Sequence, residues 1–134
     1  MLSSIVDEIK IASKSIDELN GRMRTMQSAE PDMVSRQISQ QVSFFPMFLS
    51  QQIKMISDLE KQFGEEFQSK CLDEVREIAE TAKNVQATTE SALTVVESSK
   101  RIEFADALFK GTSRLNILQQ RITAKMMRCK KNPE

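Results

Sequence analysis

The side chains in this sequence that could carry out chemistry are two cysteines and four pairs of adjacent carboxylates. The chain contains no histidine, so it lacks the base of hydrolytic triads and the Glu-x-x-His motif of di-iron helical bundles. Its three glycines are isolated and form no phosphate-binding loop. The carboxylate pairs are Asp7-Glu8, Asp17-Glu18, Glu65-Glu66 and Asp73-Glu74. We expect them on solvated helix faces, and the sequence predicts no enzymatic activity, no cofactor and no metal site.

The two cysteines, Cys71 and Cys129, do not have the CxxC spacing of a structural zinc site. They could form a disulfide with each other, or they could stay reduced and pack inside the protein. The second interpretation is favoured, because reduced cysteines behave as small apolar residues in a reducing compartment.

Charge is balanced over the chain, with 19 Lys and Arg against 19 Asp and Glu, which argues against a dedicated polyanion-binding protein. The C-terminal part is basic, and its cations could bind nucleic acid or an acidic membrane surface. Cations are also favourable at the C-terminus of a helix, and we prefer this explanation, so nucleic acid is not an expected partner. The basic residues are Lys110, Arg114, Arg121, Lys125, Arg128, Lys130 and Lys131.

The opening residues, MLSSIVDEIK, place acids where a signal peptide needs a basic region followed by an unbroken apolar run. No stretch approaches the roughly 20 apolar residues of a membrane span. The sequence therefore predicts synthesis in the cytoplasm and no transmembrane segment.

The elements around these side chains are predicted to be helices, since few glycines and prolines are available for the turns of an all-β fold. A first helix is predicted from a cap at Ser4 to the segment MQSAEPD, with apolar residues alternating every four and three positions. This heptad pattern predicts that Ile9, Ile16 and Leu19 are buried in an apolar interface. The full seam is Ile5, Ile9, Ala12, Ile16, Leu19, Met23 and Met26.

A second helix is predicted from Pro31, with an apolar stripe from Val34 to Phe63 and a kink at Pro46. Between Arg36 and Lys54 the sequence has 17 residues without any charge. A surface helix normally carries charges opposite its core face, so this helix is expected to meet protein on more than one side. Phe44, Met47, Phe48 and Met55 lie outside the stripe and widen it.

Gly64 is predicted to end this helix or to join it to the next, which covers residues 66–86. A second turn is predicted in NVQATTES, with Thr88 or Thr89 as an N-cap. A last helix then runs from Ser91 to Arg128, with Gly111-Thr112 as its weak point. Its inward residues are predicted to be Leu93, Val96, Ile102, Ala105, Leu108, Leu115, Leu118 and Ile122.

The predicted fold is therefore all-α: three or four long helices in elongated antiparallel hairpins resembling a coiled coil, forming a single domain over residues 1–134. A compact four-helix bundle remains the alternative, because the same apolar seams could close into one.

Residues 1–63 resemble the needle and inner-rod subunits of type III secretion systems. The resemblance rests on SAEPDM as a proline-containing loop, on the Ser- and Gln-rich helix QQVSFFPMFLSQQIKMISDL, which is uncharged up to Lys54, and on Lys54-x-Ile56-x-Asp58 near its end. It implies a needle-like helical hairpin that packs into a tube within a secretion apparatus, with residues 64–134 as an additional helical segment.

The expected function is that of a structural subunit that self-associates through apolar helix faces; the alternative is an adaptor or chaperone that binds partner helices. The residues Phe44–Met55 are predicted to form an intermolecular contact, and the alternative is a thick intramolecular core. The eight methionines fill the core or form a pliable binding surface. The predicted interface residues are Ile9, Ile16, Leu19, Phe44, Phe45, Phe48, Leu49, Ile53, Met55 and Ile56.

Overall fold

The computed structural model describes residues 2–26, 33–94 and 98–128, and these residues form four long helices without a strand. The all-α prediction is confirmed. The predicted loop Ser28–Asp32, Val96, Cys129 and the end of the basic tail lie outside the described residues. The helices are α1 (Leu2–Met26), α2 (Met33–Phe63), α3 (Glu65–Thr94) and α4 (Ser98–Met126).

The helices form two hairpins, α1–α2 and α3–α4, which pack against each other as one four-helix bundle. Helix α1 lies against α2 and α3, α4 also lies against α2 and α3, and α2 meets α3 across the centre. In the first hairpin, Lys10 and Asp17 share a groove with residues from Pro46 to Ile53. With its longest helix of 31 residues, the bundle is about 46 Å long.

The core lies between the two hairpins and is built from the predicted apolar stripes. In α1 the residues Ile9, Ile16 and Leu19 are buried, which confirms the burial predicted from the heptads. Burying apolar surface at roughly 25 cal/mol per Å² drives the hairpins together. The stripe in residues 66–86 is also buried as predicted, through Phe67, Cys71, Val75, Ile78, Ala82 and Val85.

Gly64 is the whole connection between α2 and α3, as the sequence predicted. Its φ is 61°, a left-handed conformation that costs other L-residues free energy. The Gly64 amide donates to the Glu60 carbonyl at 2.8 Å, and the Phe67 amide donates to the Gly64 carbonyl at 3.2 Å. These bonds satisfy groups that a helix end leaves exposed.

The turn predicted in NVQATTES is wrong, because α3 continues through this segment to Thr94 and α4 begins only at Ser98. Thr89 lies buried in mid-helix, where its hydroxyl donates to the Val85 carbonyl at 2.8 Å. That bond satisfies the polar group that suggested a cap. The buried stripe of α3 also continues to Ala92, so packing outweighs local propensity.

The sequence predicted weak points at Pro46 in α2 and at Gly111-Thr112 in α4, and both helices continue through them. Thr112 donates its hydroxyl to the Leu108 carbonyl at 3.3 Å. At Gly111 the helix α4 lies close to both α2 and α3, since Phe45 and Val85 are the neighbours that an added Cβ would meet.

Candidate protein-interaction face

Six of the ten predicted interface residues lie inside the chain's own core, so in the closed chain they face other helices of the same molecule. Phe45 shows the reason, because its ring packs from α2 against Gly111 of α4. The alternative of a thick intramolecular core therefore describes these residues. They are Ile9, Ile16, Leu19, Phe45, Leu49 and Ile56.

The other four residues are accessible to different degrees. Phe44 is 44 % exposed, while Phe48, Ile53 and Met55 are half-buried and pack against the core. Ile53 lies in the groove between α1 and α2. Phe44, Phe48 and Met55 follow Gln37, Gln40 and Gln41 at helical spacing, on the side of α2 that faces α4.

Helix α4 contributes exposed apolar residues to the same side of the bundle, and the sequence reasoning missed them. Phe109 is 59 % exposed, and Ile102, which was predicted to point inward, is 56 % exposed. Both line a groove of about 440 Å³ with Gln37, Gln40 and Gln41 of α2. The available signal was the run of uncharged residues at every third or fourth position of α4 from Phe109 onward.

We call this surface the α2–α4 face. From α2 it contains Gln37, Gln40, Gln41, Phe44, Phe48, Gln51, Met55, Leu59 and Gln62, and from α4 it contains Ile102, Ala105, Phe109, Thr112, Ser113, Asn116, Gln120, Thr123 and Met127. Asp106 lines the same groove, between Ile102 and Phe109 along α4, and forms an ion pair with Lys110 at 3.1 Å. Apart from this carboxylate and Asp58, which lies five helical turns after Gln40, the face is a strip of amides, hydroxyls and apolar side chains.

Hydrogen bonds across the seam of this face are neutral. The Thr112 hydroxyl donates to Gln41 Oε1 at 3.3 Å. Gln52, which is buried beneath the face, donates from Nε2 to the Leu115 carbonyl at 3.0 Å. Its Oε1 is buried without a hydrogen-bond partner. Such bonds fix the two helices side by side without placing charge at the surface.

Charged pairs cross the other seams of the bundle instead. Lys83 of α3 pairs with Glu8 of α1 at 2.8 Å, and Arg114 of α4 pairs with Glu77 of α3 at 2.5 Å. Because half-exposed pairs contribute at most about 1 kcal/mol each, they mark solvated surfaces more than they stabilise the fold. Ion pairs therefore cross the α1–α3 and α3–α4 seams, whereas neutral hydrogen bonds cross the seam of the α2–α4 face.

A second groove, of about 310 Å³, lies at one end of the face. Its apolar lining consists of Met55, Leu59, Phe63, Met126 and Met127. Met126 is buried, while Met127 is 81 % exposed. Unbranched methionine side chains adapt readily to a partner's surface. Part of the methionine content therefore lies at the surface, and part fills the core.

Cys71 and the Asp73-Glu74 pair lie in the α3–α4 hairpin. Cys71 is buried with its Sγ atom 3.6 Å from Met126 Sδ. Glu74 is also buried and binds Lys125, which donates to the Lys70 carbonyl at 3.0 Å as well. The hydrogen bond to Glu74 raises the pKa of Lys125 above 10.5. These contacts join two helices of one hairpin, and no metal-binding cluster occurs among the described residues.

Comparison with protein-family models, with curated proteins and with solved structures finds no match. Within residues 2–26, 33–94 and 98–128, none of the helices has the length and apolar character needed to cross a membrane.

Proposed function

We propose that this protein is a non-enzymatic helical structural subunit that associates with further copies of itself through the α2–α4 face. The observation that carries the proposal is a face poor in charge, with Phe44, Ile102 and Phe109 exposed beside a row of glutamines and Asp106 as the one carboxylate in its groove. Depletion of charge together with exposed aromatic residues is the composition of an interface core.

The energetics of this face favour contact with protein over contact with water. Phe44 and Phe109 leave large rings exposed, and truncating a buried aromatic anchor at an interface typically costs 2 kcal/mol or more. Lys and Arg side chains are absent from the face, so association buries few ionised groups that would have to be paired.

The size of the face fits a specific dimer contact. From Gln37 to Gln62 the face is about 38 Å long, and two interhelical spacings make it roughly 18 Å wide, so it offers about 700 Å². That lies within the area of about 600–1,000 Å² which each partner buries in an interface of standard size.

A second copy of the chain is the occupant that this chemistry fits. Glutamine and asparagine side chains both donate and accept hydrogen bonds, so a strip of amides is complementary to itself. A partner that recognised the face through charges would find only the carboxylates of Asp58 and Asp106 and no cation within it. The chain also has a net charge of zero, so two copies do not repel each other at long range.

The resemblance of residues 1–63 to needle and inner-rod subunits supports a finer proposal, assembly within a type III secretion apparatus. The α1–α2 hairpin has the helix order that this resemblance implies. The adaptor or chaperone role is the second candidate, because the open groove between Gln37 and Phe109 can hold a partner's apolar side chains.

The test compares charge substitutions on the face with one elsewhere. Phe109→Glu and Ile102→Glu place carboxylates on the α2–α4 face, whereas Ile11→Glu places one on α1, where Ile11 is 69 % exposed. Light scattering and sedimentation across a concentration series should show self-association in the wild type and the Ile11 variant, and its loss in the other two.

All three variants should keep the melting temperature of the wild type, since the altered side chains are exposed. A wild type that stays monomeric at every concentration contradicts self-association. If such a monomer instead binds a helical partner, and Phe109→Glu abolishes that binding, the adaptor role replaces the structural one.

A further inference from the structure

The packed sides of α2 and α3 carry apolar stripes on both sides of the turn at Gly64. The core residues recur every third or fourth position, and four successive spacings of four from Leu59 to Val75 rotate the stripe by roughly 60° between α2 and α3. The series is Ile38, Val42, Phe45, Leu49, Gln52, Ile56, Leu59, Phe63, Phe67, Cys71, Val75, Ile78, Ala82, Val85, Thr89 and Ala92, and Glu74 and Ala79 are also buried in α3. The two stripes therefore still overlap, as they would have to on one continuous helix.

Gly64 alone separates these two halves. The residues on either side of it are already helical, and the glycine departs from the helix only through its φ of 61°. If Gly64 adopted the helical φ, the 31-residue α2 and the 30-residue α3 would form one helix about 93 Å long with one apolar side. Helix α1 would still cover α2, and α4 would still cover α3.

We propose that the protein can open at Gly64 and exchange hairpins with a second copy of itself. In the exchanged dimer the α1–α2 hairpin of each copy packs on the α3–α4 hairpin of the other. Every contact between hairpins in the closed chain is then re-formed between chains, including the packing of Phe45 on Gly111. Exchange of identical elements needs no new interface and proceeds through a hinge. This inference does not depend on the α2–α4 face.

Gly64→Ala tests the hinge. Alanine disfavours the left-handed turn by roughly 5- to 30-fold and favours a continuous helix by about 5-fold. Since one exchanged dimer opens two turns, its association constant should rise by about 600- to 20,000-fold. Gly21→Ala is the matched control, because Gly21 lies within α1 with open space around it, and it should leave association unchanged.

A cross-link between hairpins distinguishes exchange from other association. Glu8 of α1 and Lys83 of α3 are in contact at 2.8 Å, with side chains 47 % and 54 % exposed, so a carbodiimide can join them as an amide. Isotopically light and heavy chains are unfolded together, refolded and cross-linked. In the exchanged dimer, mass spectrometry should find this link between light and heavy peptides. The link between Asp106 and Lys110, both in α4, should stay within one chain.

The expected result is that Gly64→Ala, as a dimer or within larger assemblies, carries mixed light and heavy Glu8–Lys83 links. Association through the α2–α4 face would leave these links within one chain, so a dimer without mixed links overturns the hinge proposal and leaves the proposed function standing. Gly64→Leu is the second variant, since it keeps the phase of the two helices and disfavours the left-handed φ of the turn. A helical, cooperatively melting dimer supports the proposal, and a Gly64→Leu variant that stays monomeric overturns it.

Discussion

The close approach of α4 to α2 and α3 at Gly111 can be measured by adding one methyl group. A Cβ atom at this position would lie 2.9 Å from Val85 Cγ2 and 3.3 Å from Phe45 Cζ. Carbon atoms prefer separations of about 3.5–4.0 Å, and Val85 and Phe45 are both buried. The β-branched Val85 has little rotamer freedom with which to move away.

Gly111→Ala therefore combines two opposite effects. Overpacking a filled core costs about 1–3 kcal/mol, whereas alanine gains about 1 kcal/mol over glycine in a helix interior. Gly21→Ala has the second effect without the first, because no atom lies within 4 Å of the added Cβ. We expect the control to be about 1 kcal/mol more stable than the wild type, and Gly111→Ala to be about 1–3 kcal/mol less stable than the control.

Urea unfolding followed by circular dichroism measures both variants, and a difference of 1 kcal/mol corresponds to roughly 4 °C in melting temperature. Shortening the clashing side chain should relieve the strain, so Gly111→Ala with Val85→Ala should be more stable than the two single effects predict, by about 1 kcal/mol. Equal stabilisation by Gly111→Ala and Gly21→Ala would refute the argument from close packing.

Three further changes test the core and its polar contacts. Ile16→Asp should lower the free energy of unfolding by several kcal/mol because it buries an unpaired charge. Ile11→Asp, on the exposed side of α1, should change it by less than about 0.5 kcal/mol. Equal effects of the two variants would show that the α1 seam is not core. Lys125→Met should cost about 1–3 kcal/mol at neutral pH because it leaves the buried Glu74 carboxylate without its donor. Because the pKa of Lys125 is raised in the folded protein, its contribution to stability is complete below pH 10.5 and is lost as the pH rises through the folded-state pKa. Urea unfolding should show this loss in the wild type. An equal loss in Lys125→Met would assign it to other groups. Cys71→Ser should lower stability by about 1–3 kcal/mol, since a hydroxyl replaces a buried thiol beside Met126; an unchanged melting curve would contradict that packing.

The sequence predicted helices well where apolar periodicity was long. The buried seam of α1 could be predicted from the spacing of its apolar residues alone. The turn at Gly64 could be predicted from the one residue type that tolerates a positive φ. The turn placed in NVQATTES failed because capping preferences are local, while the buried position of Thr89 depends on α3 packing within the bundle. A threonine that bonds to a carbonyl one turn earlier looks, in sequence, like one that caps a helix.

The interface was predicted less well because the sequence shows the pattern of each helix separately and does not show which helices lie side by side. The uncharged run between Arg36 and Lys54 indicated two packed sides, but it could not show which side faces the chain's own core. The structure assigns Phe45 and Leu49 to the core and leaves Phe44 at the surface. Phe109 was missed because its significance depends on α4 lying beside α2, a relation between distant residues that no single periodic pattern contains.

The hinge and the α2–α4 face together determine how far assembly can proceed. A closed chain carries one such face, and a self-complementary face closes at two copies by two-fold symmetry. An exchanged dimer carries two faces, each built from α2 of one chain and α4 of the other, and so it can continue into an open-ended polymer. Gly64→Ala should therefore form large assemblies, visible by electron microscopy, whereas Gly64→Ala with Phe109→Glu should stop at the exchanged dimer. Ile11→Glu in place of Phe109→Glu should leave the large assemblies intact. If the Phe109 double variant grows as far as Gly64→Ala alone, the α2–α4 face is not the contact that joins exchanged dimers.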